Sequence, residues 1–241
     1  MIFRTSQNNT NHSQKNMKLD ILYEDNHLLI INKPIGILVQ GDKTGDIPLV
    51  ELAKAYIKQK YNKPGAVFLG VVHRLDRPTS GAIVFARTSK ALERLNLQFK
   101  ERVTKKVYWA ITKETPNPSE DTLIHWTVRN QKQNKSYAYK KETPESKKAI
   151  LKYSIKKKLN NYSLIEIELE TGRHHQIRAQ LTAISCPIKG DLKYGSARSN
   201  PNGSIHLHAR SIEILHPISK EPIKCIAPLP KDALWDACSS D

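Results

Sequence analysis

Asp76 lies between two arginines, in the run Val71-Val72-His73-Arg74-Leu75-Asp76-Arg77-Pro78-Thr79-Ser80-Gly81. Guanidinium groups favour the ionised form of a neighbouring carboxylate, and a Pro-Thr-Ser-Gly turn holds the backbone in one shape. A fixed, charged carboxylate is what a nucleophile or an electrostatic stabiliser of a cationic centre requires. An Arg–Asp–Arg ion-pair network in a tight surface turn fits the same residues, and the local sequence leaves both readings open. A second concentration of chemistry is Thr171-Gly172-Arg173-His174-His175-Gln176-Ile177-Arg178, where two arginines, two histidines and an amide arrive together. The vicinal histidines have no carboxylate or cysteine at ligand spacing nearby, so no metal site is expected. Tyr108, in Lys105-Lys106-Val107-Tyr108-Trp109-Ala110-Ile111, reads from its strand pattern alone as a packing residue.

The elements that must position these residues follow from apolar patterning. Ala66 to Val72 reads as a buried strand and Ala82 to Ala86 as another, so the Asp76 connection is trapped between two core elements. Ile21 to Tyr23 and Leu28 to Asn32 are strand-like and joined by an Asp25-Asn26 turn. Pro48 opens an amphipathic helix over Leu49 to Tyr61, and Ser89 is the expected N-cap of a second, reaching about Arg102. Ile165, Ile167 and Leu169 alternate with Glu166, Glu168 and Glu170 in a half-buried strand that runs into the Thr171 segment, and a helix follows it, ending before Pro187. Ile205 to Arg210 is a further strand with histidines on one face, Ile212 to His216 follows it, and a short helix surrounds Leu234 and Trp235. From Gln131 to Lys158 there are ten lysines interleaved with Tyr137, Tyr139 and Tyr153, which suits either an RNA-contact surface or a hairpin with solvated lysines.

The 241 residues carry 39 Lys and Arg against 23 Asp and Glu, a net charge of +16. Such an excess attracts polyanions, nucleic acid first among them. No apolar run approaches the roughly 18 to 20 residues of a spanning helix, which argues against a membrane partner. Three widely spaced cysteines make neither a disulfide framework nor a zinc site and suit a reducing, cytoplasmic setting. Residues 1–17 read as a disordered polar tail, with Met17 as the expected true start, and 18–241 as one ordered domain.

Four separated segments, taken together, resemble the RluA-type pseudouridine synthases, which isomerise uridine to pseudouridine in structured RNA. They are His73-Arg74-Leu75-Asp76 with Thr79-Ser80-Gly81; Lys106-x-Tyr108-x-Ala110; Thr171-Gly172-Arg173-x-His175-Gln176-Ile177-Arg178; and Pro187-Ile188-x-Gly190-Asp191 through Tyr194-Gly195. Lys33-Pro34, Leu207-His208-Ala209 and His216-Pro217 also fit, and the resemblance spans about Asp20 to Pro228. It departs from the family pattern at Ser185, where many members have glycine, and at Gln180 and Cys186, where many have histidine. The resemblance implies a mixed α/β (α+β) fold with a largely antiparallel central sheet flanked by helices and a catalytic cleft, and it makes 18–241 the catalytic domain. It implies Asp76 as the catalytic aspartate, Tyr108 as an active-site tyrosine, and Arg173 as the arginine paired with the aspartate. Arg74, Arg77, Lys106, His175, Gln176 and Arg178 are the corresponding candidates for RNA contact.

The partner so implied is ribosomal or transfer RNA, with no cofactor, no metal and no protein partner, and the protein is expected to be a monomer. Many relatives also carry an N-terminal S4 RNA-binding domain, expected to be absent here. Attack of the aspartate at C1′ and removal of the C2′ proton to give a glycal are both compatible with these residues. A catalytically inactive RNA-binding protein of the same fold is the rival from another class, and an N-glycosidase, which would release free uracil, shares the carboxylate logic.

Overall fold

The computed structural model describes residues 17–239. Of the expected tail, residues 1–16 lie outside the described residues; Met17 is the first described residue, partly buried against the core. In chain order the elements are β1 (Asp20–Glu24), β2 (Leu28–Lys33), α1 (Leu49–Lys60), β3 (Gly70–Val71), β4 (Ser80–Ala86), α2 (Ser89–Glu101), β5 (Lys105–Thr112), β6 (Glu120–Asn130), β7 (Lys135–Tyr139), β8 (Lys147–Lys158), β9 (Ser163–Leu169), α3 (Gln176–Ala183), β10 (Leu207–Leu215), β11 (Pro222–Ile226) and α4 (Ala233–Ser239). All eleven strands join one sheet in the order β1-β2-β4-β10-β5-β9-β8-β6-β7, with β3 added to β4 and β11 to β10. The β4–β10 pairing is parallel and the others are antiparallel, so the expected mixed fold with a largely antiparallel sheet holds.

Local sequence explains most boundaries. Asp25 closes the β1–β2 turn, its carboxylate accepting from the backbone N–H of His27 and of Leu28, both at 2.7 Å. Leu49, Leu52, Ala53 and Ile57 form the buried stripe of α1 behind Pro48. The N-cap of α2 is Thr88 rather than Ser89: its hydroxyl accepts from Ala91 N at 3.2 Å, and Ser89 is already helical. Ile205 to His216 is mostly one strand, β10, and both His206 and His208 are buried. Strand β6, whose alternation is interrupted by Ile124 and Trp126, has no counterpart in the sequence expectations.

The expected strand over Ala66 to Val72 contracts to Gly70–Val71. β10 occupies one end of that edge of β4, at Ser80 and Gly81, and β3 occupies the other, at Phe85 and Ala86. Between them the chain peels away toward Asp76, and the His73 Nε2 accepts from Val84 N at 3.1 Å. Gly81 sits where β4 and β10 approach most closely: with φ +114°, a Cβ there would lie 2.3 Å from the Ala209 carbonyl oxygen. Only glycine fits.

Apolar side chains pack on both sides of the sheet. Leu29, Ile31, Ile83 and Phe85 meet α1 and the cleft side, while Leu28, Ile30, Val84 and Ile212 meet α2. Tyr153 belongs to this interior, 4% exposed, its hydroxyl donating to the Pro118 carbonyl at 2.9 Å, so it leaves the candidate RNA surface. Among the described residues no helix is long and apolar enough to cross a membrane.

Candidate active site

Asp76 stands in the irregular segment between β3 and β4, and that segment is tied down on three sides. His73, half-buried and stacked on Phe99 with ring centroids 5.0 Å apart, anchors its start. Burial, then Lys106, pushes the His73 imidazole down to about 3, so it acts as a neutral acceptor. Thr79 N donates to the Asp76 carbonyl at 3.0 Å, closing a turn, and Gly36 N donates to the Arg77 carbonyl at 2.9 Å. Lys33, fully buried at the end of β2, donates to the carbonyls of Pro34 and Ile37 at 2.9 Å and of Arg77 at 3.3 Å. Its three N–H groups thus have three acceptors, although burial lowers its ammonium to about 7, opposed by the Asp76 charge.

The arginine paired with Asp76 is Arg178, not Arg173. Arg178 Nη1 donates to Asp76 Oδ2 at 2.9 Å, while its Nε and Nη2 form a two-point contact with Asp191 at 2.6 and 2.9 Å. Burial opposes its charge, but hydrogen bonding to Asp191 and then Asp76 outweighs burial and raises its pKa. Arg178 is 5% exposed and holds these two carboxylates where it lines the pocket. Arg173 instead donates from Nε to the Lys148 carbonyl at 3.0 Å and lines the lip of the same pocket. The flanking arginines do not clamp Asp76 either: Arg77 pairs with Asp46 at 2.7 Å, and Arg74 is exposed.

Two other residues expected to contact RNA are held by partners within the protein. Gln176 is buried; its Oε1 accepts from Thr171 Oγ1 at 2.8 Å and Arg173 N at 2.9 Å, and its Nε2 donates to the Ile150 carbonyl at 3.0 Å. It therefore shapes the turn that carries Arg173. His175 has a left-handed backbone (φ 51°), with Nε2 3.5 Å from Asp76 Oδ2 and Nδ1 2.9 Å from the Tyr194 hydroxyl. Burial drives its imidazole down to about 3 despite the Asp76 charge. With the ring neutral, the facing carboxylate favours the tautomer protonated at Nε2, which leaves Nδ1 to accept from Tyr194. The His174 ring stacks on it at 3.8 Å and is held through Nδ1 by Ser136 Oγ at 2.8 Å.

Tyr108 on β5 is 8% exposed and lines the pocket with Asp76, Leu169, Arg173, His175 and Leu207. Burial, then the Asp76 charge, raises its hydroxyl well above the ordinary phenol range, so it is a neutral ring with a proton to donate. Two grooves converge on this pocket. One is lined by Arg74, Lys100, Arg102, Lys106 and Arg173. The other is lined by Arg74, Arg77, Arg129, Arg178 and Lys193. A carboxylate next to an aromatic ring, at the junction of two cationic channels, is arranged for work on a polyanion.

A family model described as RNA pseudouridylate synthase matches residues 27–183. The chain belongs to this family. It is an RNA pseudouridine synthase, an isomerase acting on RNA. An RNA pseudouridine synthase of Synechocystis sp., described as uncharacterized, is 36% identical over 220 residues, covering 90% of this chain and 67% of that protein. The ribosomal large subunit pseudouridine synthase D of Xanthomonas campestris pv. campestris is 32% identical over 241 residues, covering 92% of this chain and 70% of that protein. In fold the chain is similar to human RNA pseudouridylate synthase domain containing 4, with a TM-score of 0.76 at 24% identity, over 93% of this chain and 94% of that one.

The departures at Ser185 and Gln180 are accommodated. Ser185 adopts φ 60°, the left-handed region in which a glycine is relaxed. The Gln180 amide donates to the carbonyls of Leu123 and Ala149 at 3.0 and 3.2 Å, pinning α3 to β6 and β8.

Proposed function

We propose that this pseudouridine synthase isomerises discrete uridines in structured ribosomal or transfer RNA, with Asp76 as its catalytic carboxylate. The observation that carries this reading is the Asp76 carboxylate held by Arg178, itself locked by Asp191, facing Tyr108 where the two cationic grooves meet. Breaking the N1–C1′ bond of uridine leaves an electron-poor C1′, and an adjacent carboxylate is suited to attack it or to stabilise it. Removal of the C2′ proton by the same carboxylate is the other route open to this geometry. The uracil then turns, C5 bonds to C1′, the C5 proton leaves and N1 gains one. Nothing is oxidised or reduced, and the reading assigns no cofactor.

Arg178 orients the carboxylate, and Tyr108 lies against the uracil as a neutral ring. Arg173 and Lys106, with Arg74 and Arg77, line the grooves that would take the flanking phosphates. The target base must leave its stack, at a cost of a few kcal/mol, which these phosphate contacts offset. The reading places residues 18–241 as a catalytic unit working as a cytoplasmic monomer. Mapping pseudouridine across the RNA of a strain lacking the protein tests it. Loss at one or a few defined ribosomal or transfer RNA uridines, restored by the wild-type chain, is expected; an unchanged map would count against it.

A further inference from the structure

At the β8–β6–β7 end of the sheet, strand alternation separates two faces. Leu123, His125, Leu151 and Tyr153 are buried on the side covered by α3, so the residues between them project from the opposite side. On that side Tyr139, Trp126 and Lys148 form one cross-strand row, Tyr137 and Val128 a second, and Ile124 and Ile150 a third. Tyr137, Tyr139 and Ile124 are 37%, 44% and 46% exposed. The Lys148 ammonium lies 5.9 Å from the Trp126 ring centroid, and that of Lys135 5.3 Å from the Tyr137 centroid. In the turn that joins β7 to β8, Lys140 and Lys141 stand exposed at the end of this row, with Glu142 and Glu145 further along.

The catalytic pocket lies on the other side of the sheet, with Tyr108 and Leu169, and the strand end at Lys148 connects the two sides. Arg173 at the pocket lip donates to the carbonyl of Lys148, the residue whose side chain points to the aromatic face. A polyanion leaving the pocket past Arg173 therefore meets the row after crossing one strand end. Open aromatic rings with flexible ammonium groups above them offer stacking to bases and charge to phosphates, without sequence readout.

We propose that Trp126, Tyr137 and Tyr139, with Lys135 and Lys148, form a second RNA site that stacks unpaired bases of the single-stranded segment flanking the modified structure. The inference needs only that the chain acts on RNA, and not that Asp76 is the catalytic carboxylate.

The test uses the full chain and a fluorescein-labelled 20-nucleotide oligouridylate, with affinity read by anisotropy at fixed salt. Tyr137→Leu with Tyr139→Leu keeps apolar bulk but removes the π faces, and is expected to weaken binding at least about tenfold. The Tyr137→Phe, Tyr139→Phe pair keeps the rings and should bind within about twofold of wild type. Asp76→Asn should leave this binding in place, which separates a failure of this site from a failure of the catalytic assignment. A 4-thiouridine version of the oligonucleotide, cross-linked to the wild-type protein, should label the peptides carrying Trp126, Tyr137 and Tyr139. Equal affinity of the leucine pair and wild type would overturn the proposal, as would cross-links confined to the Asp76 cleft. A wild-type dimer in sedimentation that the oligonucleotide does not displace, and that the leucine pair breaks, would overturn the proposal and assign the face to a second copy of the chain.

Discussion

Arg178 is where the site is most sensitive to a single substitution, because one guanidinium serves both Asp191, which is 2% exposed, and Asp76. A lysine there keeps a positive charge but loses the planar fork, and one ammonium does not reproduce both contacts. Arg178→Lys is expected to fold and to lose turnover about a hundredfold, the scale of a 1 Å misplacement, with RNA affinity little changed. Arg178→Met leaves Asp191 buried and unpaired and should cost about 3–5 kcal/mol of stability, read by chemical denaturation. That Arg178 rather than Arg173 holds the aspartate was not legible in the sequence. Every residue from Gln176 to Leu181 is buried, so this stretch has no polar face to show which arginine turns inward. Lys33 shows in the sequence only as part of a Lys-Pro pair, since a lysine whose ammonium donates to three carbonyls looks like any other there. Asp76 itself is legible as a charged, fixed carboxylate, but its partners Arg178 and Tyr108 come from distant segments that only the fold brings to it.

At the scale of elements, the parallel contact between β4 and β10 fixes the site, because Gly81, the second residue of the strand that follows the Asp76 turn, packs on Ala209 of the other. Gly81→Ala places a methyl 2.3 Å from the Ala209 carbonyl oxygen at a φ that L-residues rarely adopt. Its expected cost is upwards of about 2 kcal/mol, read as a lowered denaturation midpoint, with loss of activity in the fraction that folds. The long periodic elements were legible: α1, α2, β5 and β9 lie within a residue or two of their apolar patterns. The shortened β3 was not, because its length is set by where β10 leaves the edge of β4, a contact more than a hundred residues away. Strand β6 escaped notice for the opposite reason: Ile124 and Trp126 face outward, so its apolar residues do not alternate with polar ones.

Across the whole molecule, folding holds several histidines neutral. Burial is the leading cause for each: His73 and His175 are pushed to about 3 and His208 to about 4, against an ordinary 6.5. Charges around them adjust the effect: Lys106 lowers His73, Arg210 lowers His208, and at His175 Asp76 raises while Arg178, His174 and Lys193 lower. The unfolded chain therefore binds more protons than the folded one between pH 6.5 and about 3, so stability is full above 6.5 and falls as pH drops through that window. Thermal unfolding followed from pH 7 to pH 4 should show a steadily falling midpoint, with a shallower slope in His208→Gln. The surplus of positive charge was plain in the sequence; its division into two grooves meeting at one carboxylate required the fold. The most direct measurement is of Asp76→Asn against wild type on RNA from a strain lacking the protein, scoring pseudouridine formed, free uracil released and RNA bound. The account predicts that wild type forms pseudouridine without releasing uracil, and that the variant binds RNA nearly as well and forms none. Comparable pseudouridine formation by Asp76→Asn would contradict it.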